Sequence, residues 1–377
     1  MNFIYALFVF FSNCGYLSFS FFDASDYTLM LRSLASVLIL LILFGEKMSR
    51  NVIIFPLILC PVLLVQGSYL YANALFITIA TLALHRIDRS TLCRIALRIQ
   101  LLFILYITFL LLSGRHPIGS SNVFGRLRYD CGFENVNNAG VYFNSLFMIY
   151  LLMRDKITLP LFLAILFPTA IFFYFTDSRT AFFSLFMQML LFFALQAKSL
   201  KKAVPRILNG FVFLFFISPV LIFQPFIQTE EMNSLLSFRP VYFKEYFNQH
   251  SFLTLLLGGS EFAAIDSFYL SFLFNYGLVL YVFLYICVTV TIRRMCSLER
   301  FSECSFLTAL LSLGLFECSL LSPEVPFCLF FWILIAKYCR SVYRYRSGSQ
   351  EFMRADIENG TDRDDGKVEA AAAAVNP

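Results

Sequence analysis

The sequence predicts an all-α polytopic membrane protein with about 12 transmembrane helices, in a range of 10 to 12. Of its 377 residues, 59% are hydrophobic and only 14% are charged, and apolar segments of about 20 residues recur along its length. A soluble domain of this size has no interior large enough to bury so many apolar side chains. The placement of Lys and Arg on alternate connections then predicts the orientation in the membrane.

Twelve apolar stretches are the candidate spans. The first has no small-residue cleavage site, so we interpret it as a retained helix rather than as a signal peptide. The third and fourth are short, contain prolines and are separated by Gly67, so one re-entrant hairpin is an alternative there. In chain order the stretches lie near residues 2–21, 28–44, 52–66, 68–84, 99–113, 138–153, 157–175, 180–196, 207–224, 266–291, 304–321 and 325–341.

Lys and Arg are distributed unequally between the two sets of connections. The set that includes the C-terminal tail holds 22 of the 29 cations, whereas the other set holds six. Cytoplasmic connections are the ones enriched in Lys and Arg, so both termini are expected in the cytoplasm. The tail, residues 347–377, is polar and acidic, and we expect a disordered segment whose end, EAAAAAVNP, resembles a cloning remnant.

The six cations on the outer side lie in three connections, near 114–137, 176–180 and 225–265. Arginine is normally sparse on this side of a membrane, so its confinement favours an outward-facing site for an anionic ligand. The alternative is that outer connections simply tolerate some arginine, and charge counting does not separate the two. The six residues are Arg115, Arg126, Arg128, Arg179, Arg239 and Lys244.

The connection near 225–265 is by far the longest, at about forty residues. Its segment SFRPVYFKEYFNQH interleaves Phe and Tyr with polar residues, which predicts short amphipathic helices on the membrane surface. Phe238, Tyr242 and Tyr246 recur every four residues and are expected to form the apolar face. Loops of this length are usually functional or disordered, and the aromatic content argues against disorder.

Four motifs in these connections carry a resemblance to a known family. They are an arginine before GFENVNNAG (132–140), TDSRT (176–180), Arg239 in the long connection, and IDSFYLSFLFNYG (265–277). Together they resemble the bacterial Wzy-type O-antigen polymerases and, more distantly, the related O-antigen ligases. The resemblance covers most of the chain in topology.

This resemblance implies a GT-C-like glycosyltransferase domain over residues 1–346, in the bacterial inner membrane, with its active site on the periplasmic face. Such enzymes transfer a growing glycan from undecaprenyl diphosphate onto the sugar of another lipid-linked repeat unit. The implied partners are the lipid-linked donor and acceptor, membrane lipid, and a separate co-polymerase that regulates chain length. Ligases carry a histidine near the position of Asp266, so its absence favours the polymerase.

A diphosphate leaving group gains charge as its bond to the sugar breaks, so the reaction needs fixed cations near those oxygens. The sequence has no His/Cys spacing typical of a metal site, and we expect no cofactor, so arginine is the available counter-charge. Arg126, Arg128, Arg179 and Arg239 are the candidates for a diphosphate clamp, with Arg115 as a further binding residue. Arg126 and Arg128 face the same way only if their segment is extended.

The acceptor hydroxyl must lose a proton as it attacks, which requires a carboxylate or a comparable base. Asp266 is the first candidate because it lies at the outer end of the tenth span, and Glu134 and Asp130 are the next. The alternative is that Asp266 caps its own helix. Glu317, near the outer end of the eleventh span, either has a function or pairs with an arginine from another helix.

Candidates for contacts to the sugars are Asn135, Asn138 and Tyr269. An amide side chain both donates and accepts hydrogen bonds, as a sugar hydroxyl requires, although an ordinary Asn-rich turn explains these asparagines as well. Tyr269 follows Asp266 by three residues, which puts the two on one face if both are helical.

Two other functions are alternatives to the polymerase. One is a ligase that transfers finished polymer to the lipid A core, and the other is a flippase for lipid-linked oligosaccharides. A flippase needs charged residues along a central cavity within its spans, whereas the outer charges in this chain lie in three connections. Basic residues form short clusters beside helix ends, so no nucleic-acid partner is expected.

Overall fold

The structure is a computed structural model that describes residues 2–21, 69–84, 87–123, 126–133, 135–197, 203–221, 224, 227–235, 239–249, 251–258, 266–322, 325 and 327–345. Over these ranges the chain is mostly helical, and five helices are long and apolar enough to cross a membrane. The protein is therefore an all-α membrane protein, to which a two-stranded β-hairpin is added.

The elements follow the apolar stretches of the sequence. In chain order they are α1 (Asn2–Phe21), α2 (Tyr69–Leu84), α3 (Arg89–Leu112), β1 (Ser120–Val123), β2 (Arg126–Tyr129), α4 (Val136–Leu152), α5 (Leu159–Thr176), α6 (Arg179–Gln196), α7 (Val204–Leu221), α8 (Glu230–Leu235), α9 (Arg239–Asn248), α10 (Phe252–Leu257), α11 (Phe268–Ser297), α12 (Phe301–Leu313), a 3-10 turn (Ser319–Leu321) and α13 (Cys328–Tyr345). The helices that meet the length and composition of a span are α3, α5, α6, α7 and α11.

The helix ends differ from the apolar stretches where local polar contacts determine them. α3 begins ten residues before the predicted start at 99, because the Asp88 carboxylate caps it by accepting a hydrogen bond from Thr91 N at 3.1 Å. α12 ends at Leu313 rather than at 321, so Glu317 lies in the connection after the helix and not inside a span. The stretches predicted at 28–44 and 52–66, and the tail from 347, lie outside the described residues.

α12 lies at the centre of the helix packing. Its residues from Ser302 to Leu311 are all buried, because α4, α6, α7, α11 and α13 all contact it. One end of α12 carries Glu303, whose Oε1 accepts a hydrogen bond from Arg89 Nη1 at 2.8 Å and whose Oε2 accepts one from the Tyr338 hydroxyl. This buried carboxylate therefore ties α3, α12 and α13 together, at the end of α12 opposite to Glu317.

The long connection contains α8, α9 and α10, which confirms that it is built of short helices. The apolar face predicted for α9 is confirmed at Tyr246 but not at Tyr242, and Phe238 lies outside the described residues. Phe243 is buried, and the centres of the Phe247 and Phe274 rings lie 5.0 Å apart, whereas Tyr242 is 58% exposed. α9 packs on α11, and this tertiary contact covers Phe243 and Phe247 beside Tyr246 instead of Tyr242.

α11 is broken at Gly277, where the backbone has φ 81° and ψ 165°. The residue that follows α10, Gly258, packs directly against the break: a Cβ at Gly258 would lie 2.7 Å from Gly277 N, and a Cβ at Gly277 would lie 2.5 Å from Leu256 O. Both residues have positive φ, so only glycine fits this contact without strain. The break divides α11 into a first segment of nine residues, which contacts α9, and a longer second segment.

α4 packs closely against the connection between α5 and α6. A Cβ at Gly140 would lie 2.0 Å from Ser178 Oγ and 2.3 Å from Ser178 Cβ. We expect Gly140→Ala to lower the free energy of unfolding by about 1 to 3 kcal/mol, since overpacking a close contact forces the backbone apart. The measurement is the melting temperature of the full chain in one detergent.

The matched control is Gly210→Ala in α7, where a Cβ would meet no atom within 4 Å. This change removes a helical glycine at an open position, so it is expected to raise the melting temperature or leave it unchanged. Equal melting temperatures for the two variants would contradict the close packing at Gly140.

Candidate functional site

Arg128 in β2 joins the hairpin to two helices. Its Nε donates a hydrogen bond to the Thr176 carbonyl at 3.1 Å, and its Nη2 donates to the Asp177 carbonyl at 3.3 Å and to Asn137 Oδ1 at 2.9 Å. Asn137 lies in the first turn of α4, and Thr176 ends α5. One guanidinium therefore brings together the first two arginine-bearing connections.

Asp130 fixes the shape of the first connection. Its Oδ1 accepts hydrogen bonds from Gly119 N at 2.9 Å and from Gly132 N at 2.8 Å. His116 Nε2 lies 2.8 Å from the Gly132 carbonyl and closes the same loop. The sequence makes Asp130 a further candidate for the base. In the structure its carboxylate stabilises the loop by accepting these two backbone hydrogen bonds.

Arg179 lies where the second connection turns into α6. Asp177 ends α5 in the left-handed region with φ 46°, and Arg179 is the first residue of α6. Arg179 Nε lies 3.7 Å from Asp177 Oδ1, and its side chain is 30% exposed. Because Arg128 donates to the Asp177 carbonyl, the Arg128 and Arg179 side chains both contact the same residue.

Arg239 in the third connection faces two carboxylates. Its Nη2 lies 3.5 Å from Asp266 Oδ2 and 3.9 Å from Glu317 Oε1, and only 17% of its side chain is exposed. The guanidinium carbon also lies 5.7 Å from the centre of the Phe316 ring, within the range of a cation–π contact. Arg239 is the first residue of α9, so the packing of α9 on α11 positions it.

Glu317 is the buried carboxyl beside Arg239. It is 9% exposed, and burial raises the pKa of its carboxyl to about 8. Arg239 and Arg128 oppose this rise in the pKa, while Asp266 adds to it. Arg128 and Arg179 meet at Asp177, and Arg239 contacts Asp266 and Glu317. We call these two neighbouring groups together the arginine site: Arg128, Arg179, Arg239, Asp266 and Glu317.

The meeting of α11 and α12 positions the two acidic residues of the arginine site. Phe268 N donates a hydrogen bond to the Gly314 carbonyl at 2.9 Å, which joins the start of α11 to the end of α12. Asp266 precedes this contact by two residues, and Glu317 follows it by three. Their proximity is therefore a result of the helix packing and not of any local sequence pattern.

In the structure, three predicted site residues have contacts outside the arginine site. Arg115 is exposed, and its guanidinium carbon lies 5.9 Å from the centre of the Phe109 ring. Tyr269 is 0% exposed and donates its hydroxyl hydrogen bond to the Leu311 carbonyl at 2.8 Å, so it is a packing residue with no surface for a sugar. Asn135 accepts a hydrogen bond from Asn137 N at 2.8 Å and caps α4, so the ordinary turn is the better explanation of this asparagine.

Asp266 does not cap α11. The helix begins at Phe268 and its capping residue is Ser267, so Asp266 lies outside the helix with 62% of its side chain exposed. It therefore does not share a helical face with Tyr269, contrary to the prediction. What it contacts instead is Arg239.

Three further predicted residues have different outcomes. Asn138 is exposed in the first turn of α4, next to Asn137 and therefore close to Arg128. Arg126 begins β2, so its segment is the extended one of the two alternatives, but its side chain lies outside the described part of the chain. Glu134 also lies outside the described residues.

Glu317 is a site residue that the sequence leaves between two interpretations. The sequence does carry a signal, because a lone carboxylate within an apolar stretch is a functional candidate by default, and pairing with an arginine is the alternative. Within the described ranges, no three His, Cys, Asp or Glu residues are grouped so as to hold a metal ion. Comparisons with protein-family models, with curated proteins and with solved structures found no match to this chain.

Proposed function

We propose that this protein polymerises undecaprenyl-diphosphate-linked O-antigen repeat units at the periplasmic face of the bacterial inner membrane. The observation that carries the proposal is the arginine site. It holds the three guanidinium groups of Arg128, Arg179 and Arg239 against the carboxylates of Asp177 and Asp266, and burial raises the pKa of Glu317 to about 8, so the guanidinium charge exceeds the carboxylate charge.

Such a site suits a leaving group that gains charge. As the bond between the anomeric carbon and the diphosphate breaks, the electron pair remains on a phosphate oxygen. Arg128, Arg179 and Arg239 supply fixed guanidinium groups for that charge, and a planar guanidinium donates two hydrogen bonds to a phosphate. The reaction needs no cofactor in this scheme.

The proposal also includes the arrangement of the chain in the membrane. We propose about 12 spans, a GT-C-like arrangement of the helices, and both termini in the cytoplasm. The arginine site then faces the periplasm, where flipped lipid-linked units are available. A co-polymerase that regulates chain length completes the proposed machinery.

The experiment is deletion of the gene in its native host, followed by gel electrophoresis of the lipopolysaccharide. Loss of a polymerase should leave the core with a single repeat unit, and the wild-type gene should restore the ladder. Bare core with accumulated lipid-linked polymer would show a ligase instead. Absence of both polymer and exported unit would show a flippase, and an unchanged ladder would contradict all three.

A further inference from the structure

Glu317 is a buried carboxyl, and its Oε1 atom has no hydrogen-bond partner among the residues that the structure describes. We infer that Glu317, held beside Arg239, accepts the proton of the attacking sugar hydroxyl. This inference rests on the proposed function and adds to it the residue that activates the acceptor. It also replaces Asp266, which the sequence favours for this role.

The geometry at Glu317 Oε1 favours an incoming donor. This atom is buried and accepts no hydrogen bond from the described part of the chain. Arg239 Nη2 is 3.9 Å away, which allows charge attraction but exceeds the length of a hydrogen bond. Buried carboxyl oxygens are nearly always hydrogen-bonded, so an unsatisfied one beside an arginine indicates a position that a ligand hydroxyl completes.

Charged groups from three different parts of the chain affect the pKa of Glu317. Arg239 on α9 and Arg128 on β2 favour the ionised form, whereas burial and Asp266, which precedes α11, favour the neutral form. The neighbouring Cys318 thiol is the other titratable group, and burial together with Glu317 raises its pKa to about 12. The resulting pKa of about 8 for Glu317 lies near neutrality, where a general base is most effective.

Asp266 is less suited to take the proton. Its side chain is 62% exposed, and its carboxylate lies 3.5 Å from Arg239 Nη2. The Asp266 carboxylate is therefore open to water and already engaged by Arg239, whereas the Glu317 Oε1 atom is buried and unsatisfied. We assign it the task of positioning Arg239, which in turn lies beside Glu317.

The proposed step conserves atoms and charge. The acceptor hydroxyl oxygen forms a bond to the anomeric carbon of the donor glycan, and its proton passes to the Glu317 carboxylate. The bond between that carbon and the diphosphate breaks, and the leaving oxygen keeps the electron pair next to the arginines. Glu317 then releases its proton to water when the lipid diphosphate departs, which restores the carboxylate.

The test compares wild-type protein with Glu317→Gln and Glu317→Asp in lipid nanodiscs. The substrate is the lipid-linked repeat unit isolated from the deletion strain. For the wild type, kcat/KM should rise with pH and level off above about 8, because only the ionised carboxylate accepts the proton. Glu317→Gln resembles the neutral form, so we expect kcat to fall about 10²- to 10⁴-fold and the rise with pH to disappear.

Two readouts separate a base from a structural residue. Binding of undecaprenyl diphosphate to Glu317→Gln should match the wild type, since the arginines remain, and Glu317→Asp should recover part of the rate together with its dependence on pH. A melting temperature equal to that of the wild type shows that Glu317→Gln is folded. Loss of diphosphate binding along with activity would overturn the assignment in favour of a structural role.

Different results would contradict the inference about Glu317 and the proposed function of the protein. If Glu317→Gln polymerises at the wild-type rate with the wild-type pH profile, Glu317 is not the base, and the polymerase proposal stands. If the wild type itself forms no polymer from the lipid-linked unit at any pH, both are overturned.

Discussion

Arg239→Ala is expected to slow polymerisation of the lipid-linked unit by about 10²- to 10³-fold while leaving the melting temperature close to that of the wild type. The change removes a cation that contacts both Asp266 and Glu317, and it therefore acts on the leaving group and on the base together. Since Arg239 lowers the pKa of Glu317, its loss should also move the rise of kcat/KM to a higher pH. Initial rates of chain growth between pH 6 and about 9.5 measure both effects.

The control for Arg239→Ala is Lys244→Ala. Lys244 lies on the same short helix and is exposed, so its removal deletes one outer cation without touching the arginine site. Its rate should equal that of the wild type. Arg239→Lys should lie between the two, because an ammonium keeps the charge but lacks the planar pair of donors. Equal rates for Arg239→Ala and Lys244→Ala would exclude Arg239 from the reaction.

Arg89→Ala should have the largest effect on stability, lowering the free energy of unfolding by about 3 to 5 kcal/mol. Glu303 is 2% exposed, and Arg89 Nη1 lies 2.8 Å from its Oε1. Without the guanidinium, this buried carboxylate loses its ion-pair partner and the hydrogen bond from Arg89. Thermal unfolding in detergent, followed by the loss of the folded peak in size-exclusion chromatography, measures the change.

Two variants show whether the uncompensated charge is the cause. Arg94→Ala removes an exposed arginine from the same helix and is expected to shift the free energy of unfolding by less than about 0.5 kcal/mol. Glu303→Gln combined with Arg89→Ala removes both charges and should recover part of the loss. A double variant that is less stable than Arg89→Ala would contradict the explanation.

The described helices could be located from the sequence because a long apolar stretch is stable only where it is shielded from water. The ends of the helices could not be predicted, since they depend on single contacts such as the cap at Asp88 or the hydrogen bond from Phe268 to Gly314. The expectation that Asp266 and Tyr269 share a helical face failed for this reason. α11 begins two residues later than predicted, so Asp266 lies outside the helix while Tyr269 is buried within it.

The residues of the arginine site, too, could be predicted only in part from the sequence. Counting cations on each side of the membrane identifies Arg128, Arg179 and Arg239, because an uncommon charge on that side requires a cause. It also includes Arg115, which satisfies the same count but lies over Phe109. Which residues converge depends on long-range packing, and the pairing of Arg239 with Glu317 joins segments that are far apart in the chain.

The break at Gly277 links the packing of the long connection to the arginine site. The nine residues of α11 before the break contact α9 on one side, and Tyr269 and Phe268 anchor them to α12 and α13 on the other. Gly258 and Gly277 meet so closely that a side chain at either position would push α10 and α11 apart. The placement of Arg239, the first residue of α9, therefore depends on two glycines that are not members of the arginine site.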